Sequence, residues 1–343
     1  MGITLKEIAQ LAGVHKSTVD KVIHNRPGVS DARRQQIRKL LDEYGYEANP
    51  VGKALSYQKK DMRVAVVLPQ VNAGQWIKQG TKLVRQDFNS FNLEVDYYET
   101  PLSAPEEQAA CLRKLCRKKV SGVVLLPIEH ESVALALKEL ADARIPVVGV
   151  NSDLEVADRL CFVGQNIEQS GQVAARMFQL LLPKGGNIGI VSSNYMKAVR
   201  HRERAFREYL PRISDILPIT DAVEIHEDAE SAYRGAMELL ERNERLDGLY
   251  ITCGCVPDIC RAVRDSKFAG KLTVVCYERY PEIIQLVKDE QVACTIGSEL
   301  REQGRLSMRL LFENLIYDRK PEKDIYYTKN EILIRENIDR QEI

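Results

Sequence analysis

A small all-α head joined to a larger α/β body of two lobes, each built on a doubly wound parallel sheet, is the architecture this sequence predicts. Three observations predict it. The 343 residues exceed a single core, since roughly 100 to 200 residues per domain is usual. The first 60 residues carry helix caps and short apolar stripes, and hold 11 Lys and Arg against 6 Asp and Glu; of the 49 of each in the chain, the remainder keeps 38 against 43. From Arg63 onward, short apolar runs alternate with longer amphipathic stretches, the pattern of parallel strands covered by helices.

In the head, Thr4 and Glu7 have the spacing of a capping box, so a helix starts at Thr4 and runs through Ile8-Ala9 and Leu11-Ala12. Gly13 supplies a turn and Val14 an apolar anchor. His15 to Ile23 reads as a second helix with Val19, Val22 and Ile23 on one face. A third follows, with Ser30 as its N-cap, Ile37, Leu40, Leu41 and Tyr44 as its stripe, and Gly45 as its stop. Three short helices with a tight turn between the first two form a helix-turn-helix layout, whose second helix lies in the DNA major groove. A basic head on an acidic body fits a polyanion partner, although a solvated basic surface gives the same count.

The body has strand candidates at 64–68, 93–97, 122–126, 147–150, 187–191, 223–226, 248–252 and 272–276, with helical stretches such as 75–91, 105–118 and 168–182 between them. That is too many strands for one small sheet. The split is expected near Val163-Gly164, with the chain crossing back near Cys294-Thr295 and again near Pro321. The expected units are a head at 1–48, a hinge helix and linker at 49–61, one lobe from 62–163 with 294–320, and the other from 164–293 with 321–343.

Other classes lack their signatures. Hydrophobic residues make up 44% and charged residues 29% of the chain, and no apolar run approaches the ~20 residues needed to cross a bilayer. The first residues lack the basic-then-apolar layout of a secretory leader, so a cytoplasmic location and no membrane partner are expected. Eight cysteines read as buried small hydrophobes; Cys253, Cys255 and Cys260 form no paired CxxC and have no His at ligand spacing, so no metal is expected. No P-loop, GxSxG, HExxH or strand-borne GxGxxG occurs, and the five His are scattered, so neither an enzyme nor a cofactor is expected.

The string Thr4-Leu5, Ile8-Ala9, Ala12-Gly13-Val14, Ser17-Thr18-Val19 and Val22, followed by Asn25, Val29-Ser30, Gly45-Tyr46 and Asn49-Pro50, resembles the LacI/GalR family of repressors. The resemblance implies that Lys16, Ser17 and Lys21 read base edges, chemistry suited to guanine acceptors and to either kind of edge. It places Thr4, Leu5, His15, Thr18, Asn25 and Ser30 along the DNA, the last four for phosphate contacts that set register. His15 stands where the family has a Ser cap, and Asp20-Lys21 replaces a common Ser-Arg pair. Asp20 has two open roles, pairing with Lys16 or accepting from cytosine. The family's hinge helix would hold Gly52, which costs roughly 1 kcal/mol against Ala, and Leu55, expected to wedge into the minor groove.

The same family pairs this head with a two-lobed, periplasmic-binding-protein-like body, which implies a small-molecule effector between the lobes. Ligands in such sheets sit outside the carboxyl ends of strands. Candidates are therefore Gln70 and Asn72 after the first strand, Trp76 one turn on, Asn166 beside Gln165, and Glu278 and Ser298 past later strands. Arg200, five residues before Ala205-Phe206, matches the family's effector-binding arginine, whose fork can hold vicinal hydroxyls or a carboxylate. Thr252-Cys253-Gly254-Cys255 stands where many members have Asn-Asp, so the far wall is expected to have lost polar groups. Ribose-like sugars, sugar alcohols, sugar acids and phosphosugars all remain open. The expected protein is a homodimeric, operator-binding repressor of carbohydrate genes switched by a sugar-like effector; the alternative is a sugar-binding module whose head contacts protein.

Overall fold

The computed structural model describes residues 3–23, 27–44, 61–88, 91–154, 159–193 and 196–338, in two compact units, 1–60 and 61–343. The expected hinge helix, Asn25 and Leu55 lie outside the described residues.

In the head, α1 (Leu5–Leu11), α2 (Lys16–Ile23) and α3 (Asp31–Glu43) enclose Ile8, Ala9, Ala12, Val19, Val22 and Ile37. The capping box forms: the Thr4 hydroxyl accepts from the Glu7 amide at 3.3 Å, and the Glu7 carboxylate accepts from the Thr4 amide at 2.7 Å. Its hydrogen bonds hold the Glu7 carboxyl below the usual carboxylate range. Gly13 turns the chain with φ +62°, a left-handed value suited to glycine. Ser30 is the N-cap of α3 as expected, although its hydroxyl makes no capping bond. One expectation is corrected: Tyr44 is 47% exposed because α3 ends before it.

The body repeats one βα unit. Its first lobe runs β1 (Met62–Pro69), α4 (Asn72–Asp87), β2 (Leu93–Thr100), α5 (Pro105–Lys118), β3 (Gly122–Leu125), α6 (Glu131–Asp142), β4 (Val147–Val150) and β5 (Cys161–Gln165). The second runs α7 (Ile167–Leu181), β6 (Ile188–Ser193), α8 (Lys197–Ile213), β7 (Ile219–Ile225), α9 (Ala229–Arg242), β8 (Gly248–Ile251), α10 (Val256–Asp265), β9 (Thr273–Tyr277), α11 (Pro281–Lys288) and β10 (Cys294–Gly297). The chain then makes α12 (Leu300–Tyr317), β11 (Ile325–Thr328) and β12 (Glu331–Leu333). The sheet orders are β11-β5-β4-β3-β1-β2 and β12-β10-β9-β8-β6-β7; the strands run parallel except β12. Central strands such as β3, β4 and β8 are buried along their whole length, which is why they read as unbroken Val, Leu and Ile runs.

The lobe boundaries differ from those expected. Gly164 and Gln165 stay in the first sheet, whereas β10 belongs to the second, between β9 and β12. β11 pairs with β5 in the first sheet, so the third crossing follows Thr328 rather than Pro321. A fully buried β10 needs partners on both edges, and β9 and β12 provide them. α12 packs on α4 so closely that a Cβ at Gly80 would stand 1.9 Å from the Arg301 carbonyl, and one at Gly304 2.1 Å from that of Ile77.

Candidate effector cleft and nucleic-acid interface

The head presents two unlike faces on α2. Val19 and Val22 face its core, while Lys16, Ser17 and Lys21 are exposed. His15 caps the start of α2, its Nδ1 accepting from the Ser17 amide at 3.3 Å and lying 2.8 Å from the Ser17 hydroxyl. Of the other expected contacts, Thr18 is partly buried and Ser30 exposed. Thr4 is engaged in the capping box and Leu5 packs against the head's core.

Between the lobes lies a cleft of about 940 Å³, at the carboxyl ends of the strands. Gln70, Asn72 and Trp76 line it from the first lobe, and Glu278 from the second. The Trp76 ring also stacks on Tyr280 of the second lobe, centroids 6.3 Å apart and 20° from parallel, with the Arg301 guanidinium 5.6 Å from its centroid. Trp76 thus bridges the lobes as well as lining the cavity.

Three expected residues do other work. Arg200 does not line the cleft; its guanidinium pairs with Glu129, beyond β3 in the other lobe, and 38% of its side chain is exposed. The arginine in the cleft is Arg202, because two residues along a helix rotate a side chain by about 200° and α8 turns Arg202 inward to 7% exposure. Asn166 caps α7, accepting from the Gln169 amide at 3.0 Å, and does not line the cleft. Ser298 sits behind Glu278, donating to both carboxylate oxygens at 2.8 Å, while its carbonyl accepts from Gln303 and Thr328 where the chain crosses between lobes.

Arg202 is held on every side. It donates to the Thr252 carbonyl at 3.1 Å and the Gln165 amide oxygen at 2.9 Å, and its guanidinium lies 3.6 Å from the centroid of the Tyr277 ring. Its Nε and the Gln165 Nε2 have no partner within the protein. Tyr277 is fixed by donating to the Ser170 carbonyl at 3.0 Å, and burial raises its phenol. Burial likewise raises the Glu278 carboxyl, with Arg202 and the Ser298 hydrogen bond opposing the shift.

The far wall is not depleted of polar groups, contrary to expectation. Glu227, after β7, lines it, accepting from the Ser193 hydroxyl at 2.6 Å and the Gly254 amide at 3.2 Å. A Cβ at residue 254 would stand 2.9 Å from that carboxylate, so the glycine makes room for it. Nothing in the local sequence around Glu227 marks it; the Cys-Gly-Cys segment becomes a polar wall only through this long-range contact. The cleft's Cys255 thiol is pushed up to about 12, first by burial and then by Glu227, so it carries no thiolate at neutral pH. Among the described residues no group of His, Cys, Asp or Glu is arranged to hold a metal, and no helix is long and apolar enough to cross a membrane.

A head with an exposed second helix, followed by a hinged two-lobed ligand cleft, defines a DNA-binding regulator with an effector domain. The family of bacterial regulatory proteins of the lacI type matches residues 4–49, and the periplasmic binding protein domain matches residues 64–318. The chain belongs to the LacI family of transcriptional regulators, with an effector domain of periplasmic-binding-protein type. Among curated relatives, it is 24% identical over 247 residues to the HTH-type transcriptional regulator DegA of Bacillus subtilis, covering 71% of each chain. It is 22% identical over 259 residues to Catabolite control protein A of Priestia megaterium, covering 73% of this chain and 74% of that one. These relatives are regulators, not enzymes. Among solved structures, a solute-binding protein from Burkholderia graminis in complex with D-arabinose superposes with a TM-score of 0.76 at 18% identity, over 82% of this chain and 98% of that one. A glucose-galactose binding protein from Geobacillus stearothermophilus gives 0.75 at 18% identity, over 82% and 100%. At such identity these two report the shared fold alone.

Proposed function

We propose that this regulator acts in the cytoplasm as a homodimer on a pseudo-palindromic operator, α2 of each head reading one half-site through Lys16, Ser17 and Lys21. A small polyhydroxylated effector in the cleft changes the balance between open and closed lobes, and with it operator affinity. The ligand is held by Gln70, Asn72, Arg202 and Glu278, with Trp76 and Tyr280 forming an aromatic flank. To move that balance from 1:99 to 99:1, the effector must bind one state more tightly by about 5.5 kcal/mol.

The observation that carries this reading is the two-sided α2, whose apolar residues are spent on the head's core while its exposed residues are donors of base-reading chemistry. A head that docked on protein would not need them, and the lacI-type match over residues 4–49 favours DNA. The test is selection of binding sites from random duplexes, followed by Lys21→Ala. Discrimination at one base pair per half-site should fall by about 1 to 3 kcal/mol while binding to random DNA changes less. Equal loss on every sequence would leave Lys21 a phosphate contact only.

A further inference from the structure

The charges that line the cleft are predominantly negative. Five carboxylates face it, those of Glu99, Glu227, Asp258, Glu278 and Glu282, against the single guanidinium of Arg202. Glu99 is neutralised from outside by Lys78 at 2.7 Å, and Asp258 by Arg261 at 3.4 Å. Arg202 offsets Glu278. Glu227 has only the Ser193 hydroxyl and the Gly254 amide as partners, and no Lys, Arg or His lies within 4 Å of it among the described residues. A cavity with low-dielectric walls and an excess of negative charge draws in a cation and repels an anion.

The arginine does not reverse this. Its two terminal nitrogens donate to Thr252 and Gln165, and its face is covered by Tyr277, so much of its positive charge is spent inside the protein. Of its three nitrogens only Nε, in a side chain 7% exposed, has no partner in the protein, and its N–H is a donor suited to a neutral hydroxyl oxygen.

We propose that the cleft takes a polyhydroxylated ligand bearing a cationic amine, with the Glu227 carboxylate as the amine's counter-charge and the Arg202 Nε–H bonded to a hydroxyl. The assignment rests on the reading of the cleft as the effector site. Sugar acids and phosphosugars are disfavoured by the same charges that recruit the amine. The rigid seat of Glu227, with both oxygens already oriented by Ser193 and Gly254, means that little ordering is required when the amine arrives.

Isothermal titration of the full-length protein with matched triplets tests it: glucose, glucosamine and glucuronate, then galactose, galactosamine and galacturonate. Within any triplet that binds, the amine should bind about tenfold or more tightly than the neutral sugar, and the acid most weakly. Glu227→Gln, which keeps an oxygen to accept from Ser193 and Gly254, should erase the amine's advantage; its unfolding midpoint checks that it folds. A neutral or acidic member binding as well as the amine, or an advantage that survives in Glu227→Gln, overturns the amine assignment and leaves the effector cleft standing. If no member binds while operator binding is intact, both the amine assignment and the effector reading of the cleft fall.

Discussion

Removing the guanidinium of Arg202 tests how the cleft is held together. Arg202→Met keeps most of the apolar stem but leaves the Thr252 carbonyl and the Gln165 amide oxygen without their donors, uncovers the Tyr277 ring and deprives Glu278 of its nearby positive charge. A desolvated cation over a ring contributes about 2 kcal/mol, and each orphaned buried acceptor costs about 1 to 3 kcal/mol. Relief of the guanidinium's own desolvation offsets part of this, so a loss of about 3 to 5 kcal/mol is expected, as when one partner of a buried charge pair is removed. At about 2 to 4 °C per kcal/mol for a domain near this size, the body's melting midpoint should fall by roughly 6 to 20 °C. Scanning calorimetry of the variant, of Glu278→Gln and of the pair forms a double-mutant cycle. Because Glu278 is what the missing charge leaves uncompensated, the pair should recover more than about 1 kcal/mol relative to additivity; agreement with additivity within about 0.5 kcal/mol would refute the coupling.

The other expectations concern single sites. Glu278, raised above its ordinary 4.5 by burial, contributes stability that is complete below the unfolded-state value and is lost as pH rises through the folded one. The stability of the native protein relative to Glu278→Gln should therefore decline as pH is raised from 4.5; chemical denaturation that gave a constant difference would contradict the shift. Arg200→Ala removes a partly exposed ion pair between the lobes, worth at most about 1 kcal/mol, so effector affinity should change by less than about fivefold; abolished binding in titration would restore Arg200 to the cleft. Gly304→Ala drives a methyl group into the Ile77 backbone at 2.1 Å, and should cost more than about 3 kcal/mol in urea unfolding. A cost under about 1 kcal/mol would mean that α4 and α12 separate freely.

What local chemistry governs was legible in the sequence. The capping box of Thr4 and Glu7, the turn at Gly13 and the apolar faces of α1 to α3 act within a few residues of one another, and so did their signals. The strands of the body were equally plain wherever burial on both sides demanded unbroken Val, Ile and Leu, as in β3, β4 and β8. β11 and β12 were not, because short strands at a sheet's edge bury too little to leave an apolar run, and neither were β5 and β10, which are fully buried but carry Cys, Gly, Gln or Thr in place of one. Strand-end logic found Gln70, Asn72, Trp76 and Glu278, since a parallel sheet's carboxyl ends face the cleft whatever their sequence. The family resemblance pointed to Arg200, but the rotation of α8 against the sheet, which no local signal fixes, turns Arg202 into the cleft instead. Strand-end logic could not see Glu227, whose role depends on Ser193 and Gly254, 34 and 27 residues away. Helix caps and strand burial are properties of a short segment, whereas the charge of a cavity is a sum over segments that only tertiary packing brings together.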